Sequence, residues 1–215
     1  MICVSLGRIS SKECRRILRQ VEMAEIRIDL MDWGREEVKA IFSSHPNLIA
    51  TCRPGKQRPM QRQLLLLEAI TSGARYVDLD LNTDMAWRED IQERAKKKGC
   101  QVIISYHQER WTPPRAVLER IIKRAFSLGA NLAKIACFCR HPEDNARLLG
   151  LLDGRRRVIV CGLGPLGSIT RLATPLCGGL FTYAFWEGLE PTARGQVSYQ
   201  TLEKIHQLLE KMQAR

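Results

Sequence analysis

Gln101-Val102-Ile103-Ile104-Ser105-Tyr106-His107, then Thr112-Pro113-Pro114, an amphipathic run to Leu128-Gly129, and Leu132-Ala133-Lys134-Ile135-Ala136-Cys137 read as strand, helix and strand. The two apolar runs are rich in β-branched residues and short enough for strands buried on both faces. Between them Thr112 before two prolines marks a helix entry, and Gly129 supplies the left-handed residue that ends it. A helix connecting two buried strands is the crossover of a parallel sheet.

Outward from residues 101 to 137 the same alternation fills the chain. Strand runs begin near Ile2, Met23, Leu48, Tyr76, Gln101, Leu132, Arg157 and Gly179, with successive starts 21 to 31 residues apart. Each interval holds a strand, a helix of about three turns and two short loops. Helices are predicted over 10–21, 35–42, 62–71, 86–98, 114–128, 142–152, 168–172 and 198–212, and Ser72-Gly73 and Lys98-Gly99 repeat the glycine stop. Eight such units fit a closed (β/α)₈ TIM barrel better than an open doubly wound sheet. No linker or low-complexity tract divides the chain, so the expectation is α/β, one compact domain over residues 1–215.

Gly7-Arg8-Ile9-Ser10 lacks the glycine fingerprint of a dinucleotide site, and no P-loop lysine follows Gly162-Leu163-Gly164-Pro165-Leu166-Gly167. After the seventh strand of a barrel that glycine stretch suits an anion. No cofactor is expected. The longest apolar stretch, around Leu64 to Leu67, is broken by Glu68 long before the roughly 20 residues of a bilayer span, and the N-terminal run is too short for a signal peptide. The expectation is a cytoplasmic chain with no membrane partner.

Thirty-four Lys and Arg against 23 Asp and Glu leave +11. Runs such as Arg94 to Lys98 and Arg155 to Arg157 fall at predicted helix ends and turns without interleaved aromatics, which favours a solvated surface over a nucleic-acid stripe. The eight cysteines mostly lie in apolar runs, where a reduced thiol behaves as a small hydrophobe. Cys137 and Cys139 have no second pair to complete a zinc set, so no metal site is expected.

Barrel chemistry sits at the C-terminal ends of strands. Lys134 lies in a run apolar enough to be covered on both faces, where an ammonium is desolvated or paired. Desolvation favours the neutral amine, the nucleophile for a carbonyl; the alternative is a packed stem with its ammonium on a carboxylate. His107 ends the strand before, one spacing of about 5 Å away, and is the natural proton shuttle, or else a satisfied loop histidine. Glu25, Arg27 and Asp29 alternate with Ile26 and Ile28 and are expected on one face of the second strand. Arg53 follows the third strand, Asp78 and Asp80 lie along the fourth, and Arg171 after the seventh is placed to fork onto a carboxylate or phosphate.

The segments Glu25-Ile26-Arg27-Ile28-Asp29, Thr51-Cys52-Arg53-Pro54, Ser105-Tyr106-His107 with Thr112-Pro113, Ala133-Lys134-Ile135-Ala136, Ser168-Ile169-Thr170-Arg171, Gly178-Gly179-Leu180-Phe181-Thr182-Tyr183 and Gly195-Gln196 together resemble type I 3-dehydroquinate dehydratase. The resemblance runs in order over essentially the whole chain and looks like the dehydratase domains fused to shikimate dehydrogenase. It implies a metal-free (β/α)₈ lyase of the shikimate pathway, which leads to chorismate and the aromatic amino acids, converting 3-dehydroquinate to 3-dehydroshikimate. Carried over, Lys134 forms the Schiff base and His107 moves the protons. Arg171 pairs with the substrate carboxylate, Thr192 and Gln196 lie on the loop after the eighth strand, and Glu25, Arg27 and Arg53 hold the hydroxyls and ring. The resemblance further implies a homodimer and suggests functional coupling to a shikimate dehydrogenase.

Two segments depart from the pattern. Gln57 stands where the family has a glutamate that stabilises the histidine cation, so His107 is expected to titrate lower than in a carboxylate-paired relative and turnover to be slower. Thr192 replaces a serine and keeps its hydroxyl, and Arg194 replaces a proline and loosens the loop. Two other readings stay open: another Schiff-base barrel enzyme, an aldolase on a sugar phosphate, and a weakened barrel that binds a ligand or a polyanion.

Overall fold

The computed structural model describes residues 1–55, 57–154 and 157–213. Its elements in chain order are β1 (Ile2–Leu6), α1 (Ser11–Leu18), β2 (Ala24–Arg27), α2 (Arg35–Phe42), β3 (Leu48–Thr51), α3 (Pro59–Thr71), β4 (Tyr76–Asp80), α4 (Met85–Lys98), β5 (Gln101–Gln108), α5 (Arg115–Ser127), β6 (Leu132–Phe138), α6 (Pro142–Leu149), β7 (Val158–Leu163), α7 (Ser168–Ala173), β8 (Thr182–Ala184) and α8 (Tyr199–Gln213). The strands form one sheet in the order β7-β6-β5-β4-β3-β2-β1-β8. Parallel registers include Ile2 with Thr182, Ala24 with Leu48, Ile49 with Tyr76 and Tyr76 with Gln101. Consecutive strands pair, β1 pairs with β8, and β8 also lies beside β7, which is the topology of the expected (β/α)₈ TIM barrel.

Two compact units are distinguished within the chain: residues 1–5, 106–123 and 134–215, and residues 6–105 and 124–133. In the first, Val4, Leu118, Ile135, Ile159, Phe181 and Leu202 are buried; in the second, Ile17, Ile26, Ile41, Ile49, Leu66, Val77, Ile91 and Ile103 are. Local chemistry sets the boundaries. Ser10 caps α1 by accepting from the Glu13 amide at 3.2 Å, Asp84 caps α4 through the Trp87 amide at 3.2 Å, and Gly73, Gly99 and Gly129 take φ of 110°, 68° and 88° at the expected stops.

α1 ends at Leu18 rather than Val21, and three further boundaries that differ from the sequence reading lie at the strand ends and the start of α3. α3 begins at Pro59 rather than Arg62, because Arg58 is extended and proline fits the first helical position. β2 ends at Arg27, and Ile28–Leu30 turns as a 3₁₀ helix, so Asp29 leaves the strand. β8 starts at Thr182 rather than near Gly179, since Gly178 has φ 84° and is still in the turn. Of the basic run at 155–157, Arg155 and Arg156 lie outside the described residues. No helix among the described residues is long and apolar enough to cross a membrane.

Seven of the eight cysteines are buried and Cys177 is exposed. Burial pushes the thiols of Cys14, Cys52, Cys100 and Cys137 up to about 12, where they stay protonated and unreactive. A thiol reagent at neutral pH is therefore expected to modify one cysteine of the folded protein rapidly, mapped to Cys177, and all eight in denaturant. Fast loss of several thiols would contradict this packing.

Candidate active site

In the unit of residues 1–5, 106–123 and 134–215, β6 carries Lys134 with only 6% of its surface exposed. Its Nζ stands 4.0 Å from the centre of the Tyr183 ring on β8. Tyr183 is itself 2% exposed, and the Phe181 ring meets its ring edge-on at 5.6 Å. His107 lies near the end of β5, the sheet neighbour of β6, and is exposed where Ser105 two residues earlier is buried. A buried amine thus lies on one strand and a solvent-accessible imidazole on the next.

Arg171, on α7, is 1% exposed. Its Nε donates to the Gly195 carbonyl at 3.1 Å and its Nη1 to the Tyr183 carbonyl at 3.3 Å. The guanidinium therefore ties the strand under the lysine to the loop that follows. That loop holds Thr192 and Gln196. Gln196 Oε1 accepts from the backbone amides of Thr192 at 2.9 Å and Ala193 at 3.2 Å, so the oxygen is engaged within the loop and its Nε2 hydrogens are the donors of that side chain. The Thr192 hydroxyl donates to the Ser5 hydroxyl at 2.7 Å.

Gly195 has φ 77°, and a Cβ there would sit 2.2 Å from the Gly164 carbonyl oxygen. The Gly164 amide in turn donates to the Arg194 carbonyl at 3.3 Å. The glycine run after β7, expected to suit an anion, thus serves here as the seat of the loop from Thr192 to Gln196. Gly195→Ala is expected to displace that loop and lower kcat/KM about a hundredfold, read by steady-state kinetics, since about 1 Å of misplacement costs that much. An unchanged kcat/KM would contradict the seat.

In the unit of residues 6–105 and 124–133, the strand ends present paired charges. Glu25 is buried and accepts from the Thr51 hydroxyl at 3.1 Å. Arg27 forks onto Asp29 through Nε at 3.1 Å and Nη2 at 2.7 Å. Arg53 Nη2 donates to Asp78 Oδ1 at 2.9 Å, and that same oxygen accepts from the Ser105 hydroxyl at 2.6 Å. Asp78 is thus the structural partner that fixes the Arg53 fork. Behind it Arg62, read from sequence only as a helix position, donates Nε and Nη2 to the Cys52 carbonyl at 3.1 and 2.8 Å and lies over the Trp87 ring at 4.9 Å. Gln57 Nε2 donates to the Ile28 carbonyl at 3.4 Å, while its buried Oε1 has no hydrogen-bond partner among the described residues.

Ser5 and Tyr183 are the functional candidates that sequence reasoning missed. Tyr183 stood inside a quoted motif, but a tyrosine in a strand reads as core. Ser5 carried no signal at all. Among the described residues no group of three His, Cys, Asp or Glu side chains is placed to hold a metal ion.

The family model described as Type I 3-dehydroquinase matches residues 2–213. The 3-dehydroquinate dehydratase of Methanocaldococcus jannaschii is 29% identical over 225 residues, covering 98% of this chain and 99% of that one. The solved structure of 3-dehydroquinate dehydratase from Geobacillus kaustophilus superposes with a TM-score of 0.82 at 25% identity, covering 98% and 91% of the two chains. The dehydroquinate dehydratase and shikimate dehydrogenase of S. pombe AroM matches at a TM-score of 0.79 and 18% identity, over 97% of this chain and 44% of that one, a likeness of fold.

Proposed function

This chain belongs to the type I 3-dehydroquinase family, and we propose on that footing that it dehydrates 3-dehydroquinate to 3-dehydroshikimate through a Schiff base on Lys134, residues 1–215 acting as one barrel domain. The observation that carries the reading is the buried Lys134 at the position of the family's Ala-Lys-Ile-Ala motif.

The Lys134 amine attacks the ketone carbon; water leaves, and a protonated imine forms. That cation withdraws electrons more strongly than the ketone did, so the neighbouring carbon loses a proton to His107 and an enamine results. Electrons return through the enamine as the β-hydroxyl departs with a proton from His107. Hydrolysis of the new imine releases the product and the amine, and the net change is the loss of one water. Arg171 meets the substrate carboxylate, Thr192 and Gln196 meet it from the loop, and Glu25, Arg27 and Arg53 hold the hydroxyls and ring. The neutral Gln57 leaves the His107 cation less stabilised than a glutamate does, which slows turnover.

A homodimer, a cytoplasmic location and functional coupling to a shikimate dehydrogenase belong to the same reading and rest on family membership and on the fused AroM relative. The assay is direct: dehydration creates a conjugated enone, so ultraviolet absorbance rises when 3-dehydroquinate is added. The proposal predicts turnover with 3-dehydroquinate and none with a panel of sugar phosphates. Turnover of a sugar phosphate would favour the aldolase reading. No turnover, with salt-sensitive retention on nucleic acid, would favour the binding barrel.

A further inference from the structure

The Lys134 Nζ lies over an aromatic face in a buried part of the protein. Nζ is 4.0 Å from the Tyr183 ring centre, and both side chains are almost fully buried. The ring cannot drift away. Its strand is registered against β1 at Cys3, its carbonyl accepts from Arg171, and its edge rests against Phe181 at an interplanar angle of 69°. An aromatic face attracts a cation through its quadrupole, and the attraction is largest where water is excluded.

We propose that Tyr183 is a further catalytic residue, whose ring keeps the nitrogen of the Lys134 imine protonated. This rests on the Schiff-base reading above. Burial alone drives a nitrogen cation toward its neutral form, and an imine is a far weaker base than an amine, so the imine is the species most exposed to that loss. A neutral imine is a poor electron sink. The ring stabilises the cation without a formal charge. Desolvated cation–π contacts correspond to about thirtyfold in an equilibrium.

The test keeps the ring's shape and changes its electrons. Phenylalanine and 3,4,5-trifluorophenylalanine are placed at position 183 of the full chain, beside Tyr183→Leu. Each enzyme, carrying ¹⁵N-labelled lysine, is mixed with 3-dehydroquinate, and the ¹⁵N resonance of the imine and the kinetic constants are measured. Tyr183→Phe keeps the ring face and is expected to show the protonated-imine resonance, and its kcat is the reference for the fluorinated ring. The trifluorinated ring should shift the resonance toward the neutral imine and lower kcat about tenfold with KM little changed. A trifluorinated enzyme with the resonance and kcat of Tyr183→Phe overturns the proposal, and it does so even if Tyr183→Leu fails to fold. Absence of any imine resonance in the parent enzyme overturns the Schiff-base reading and this proposal with it.

Discussion

Lys134→Met is expected to lower turnover of 3-dehydroquinate by about five orders of magnitude or more while leaving the fold intact. Lys134 lies in a strand whose other residues from Leu132 to Cys137 are all apolar and buried. Methionine keeps a similar volume there and removes the only group proposed to bond the substrate covalently. A structural lysine behaves in the opposite way: its loss destabilises the protein and leaves the residual rate in proportion to the folded fraction. Calorimetry and steady-state kinetics on the same preparation separate the two.

Arg171→Lys is expected to raise KM for 3-dehydroquinate about a hundredfold or more and to lower kcat as well. The substitution keeps the charge but not the fork. In the structure Nε holds the Gly195 carbonyl and Nη1 the Tyr183 carbonyl, so the side chain supports the loop and the strand beneath Nζ besides its proposed contact with the substrate carboxylate. A lysine ammonium meets one of these groups and leaves buried carbonyls unpaired. A KM increase alone, with kcat untouched, would confine Arg171 to the carboxylate and contradict its support of the strand.

The alternation of strands and helices was legible because each signal was local: a β-branched run buried on both faces, a proline at a helix start, a glycine at its stop. Lys134 was legible for a related reason, since an ammonium inside an apolar strand is chemically conspicuous wherever the strand goes. Three-dimensional dependence hid the rest. The 3₁₀ turn at Ile28–Leu30 takes Asp29 off the strand that alternation assigned to it, yet Asp29 still pairs with Arg27. Ser5 meets Thr192 across 187 residues of sequence, and a serine inside an apolar strand announces nothing until its partner is in place. Arg62 and Trp87 face each other from successive helices, where either alone reads as ordinary amphipathic surface. Asp78 illustrates the limit from the other side. Its position along the fourth strand was plain, but whether it faced a ligand or braced Arg53 depended on the Ser105 hydroxyl of the neighbouring strand.

Gln57 is expected to make the proposed reaction slower rather than different. A neutral amide there bonds a backbone carbonyl and brings no charge. The chemistry proposed for this chain therefore leans on Lys134, which no substitution has altered relative to the family motif. Incubation with 3-dehydroquinate and borohydride, followed by intact mass and peptide mapping, tests that claim most directly, because reduction freezes an imine as a stable adduct. The account predicts one adduct per chain, mapped to Lys134 and absent in Lys134→Met. No adduct under conditions that label a control dehydratase, or an adduct on a different lysine, would contradict it.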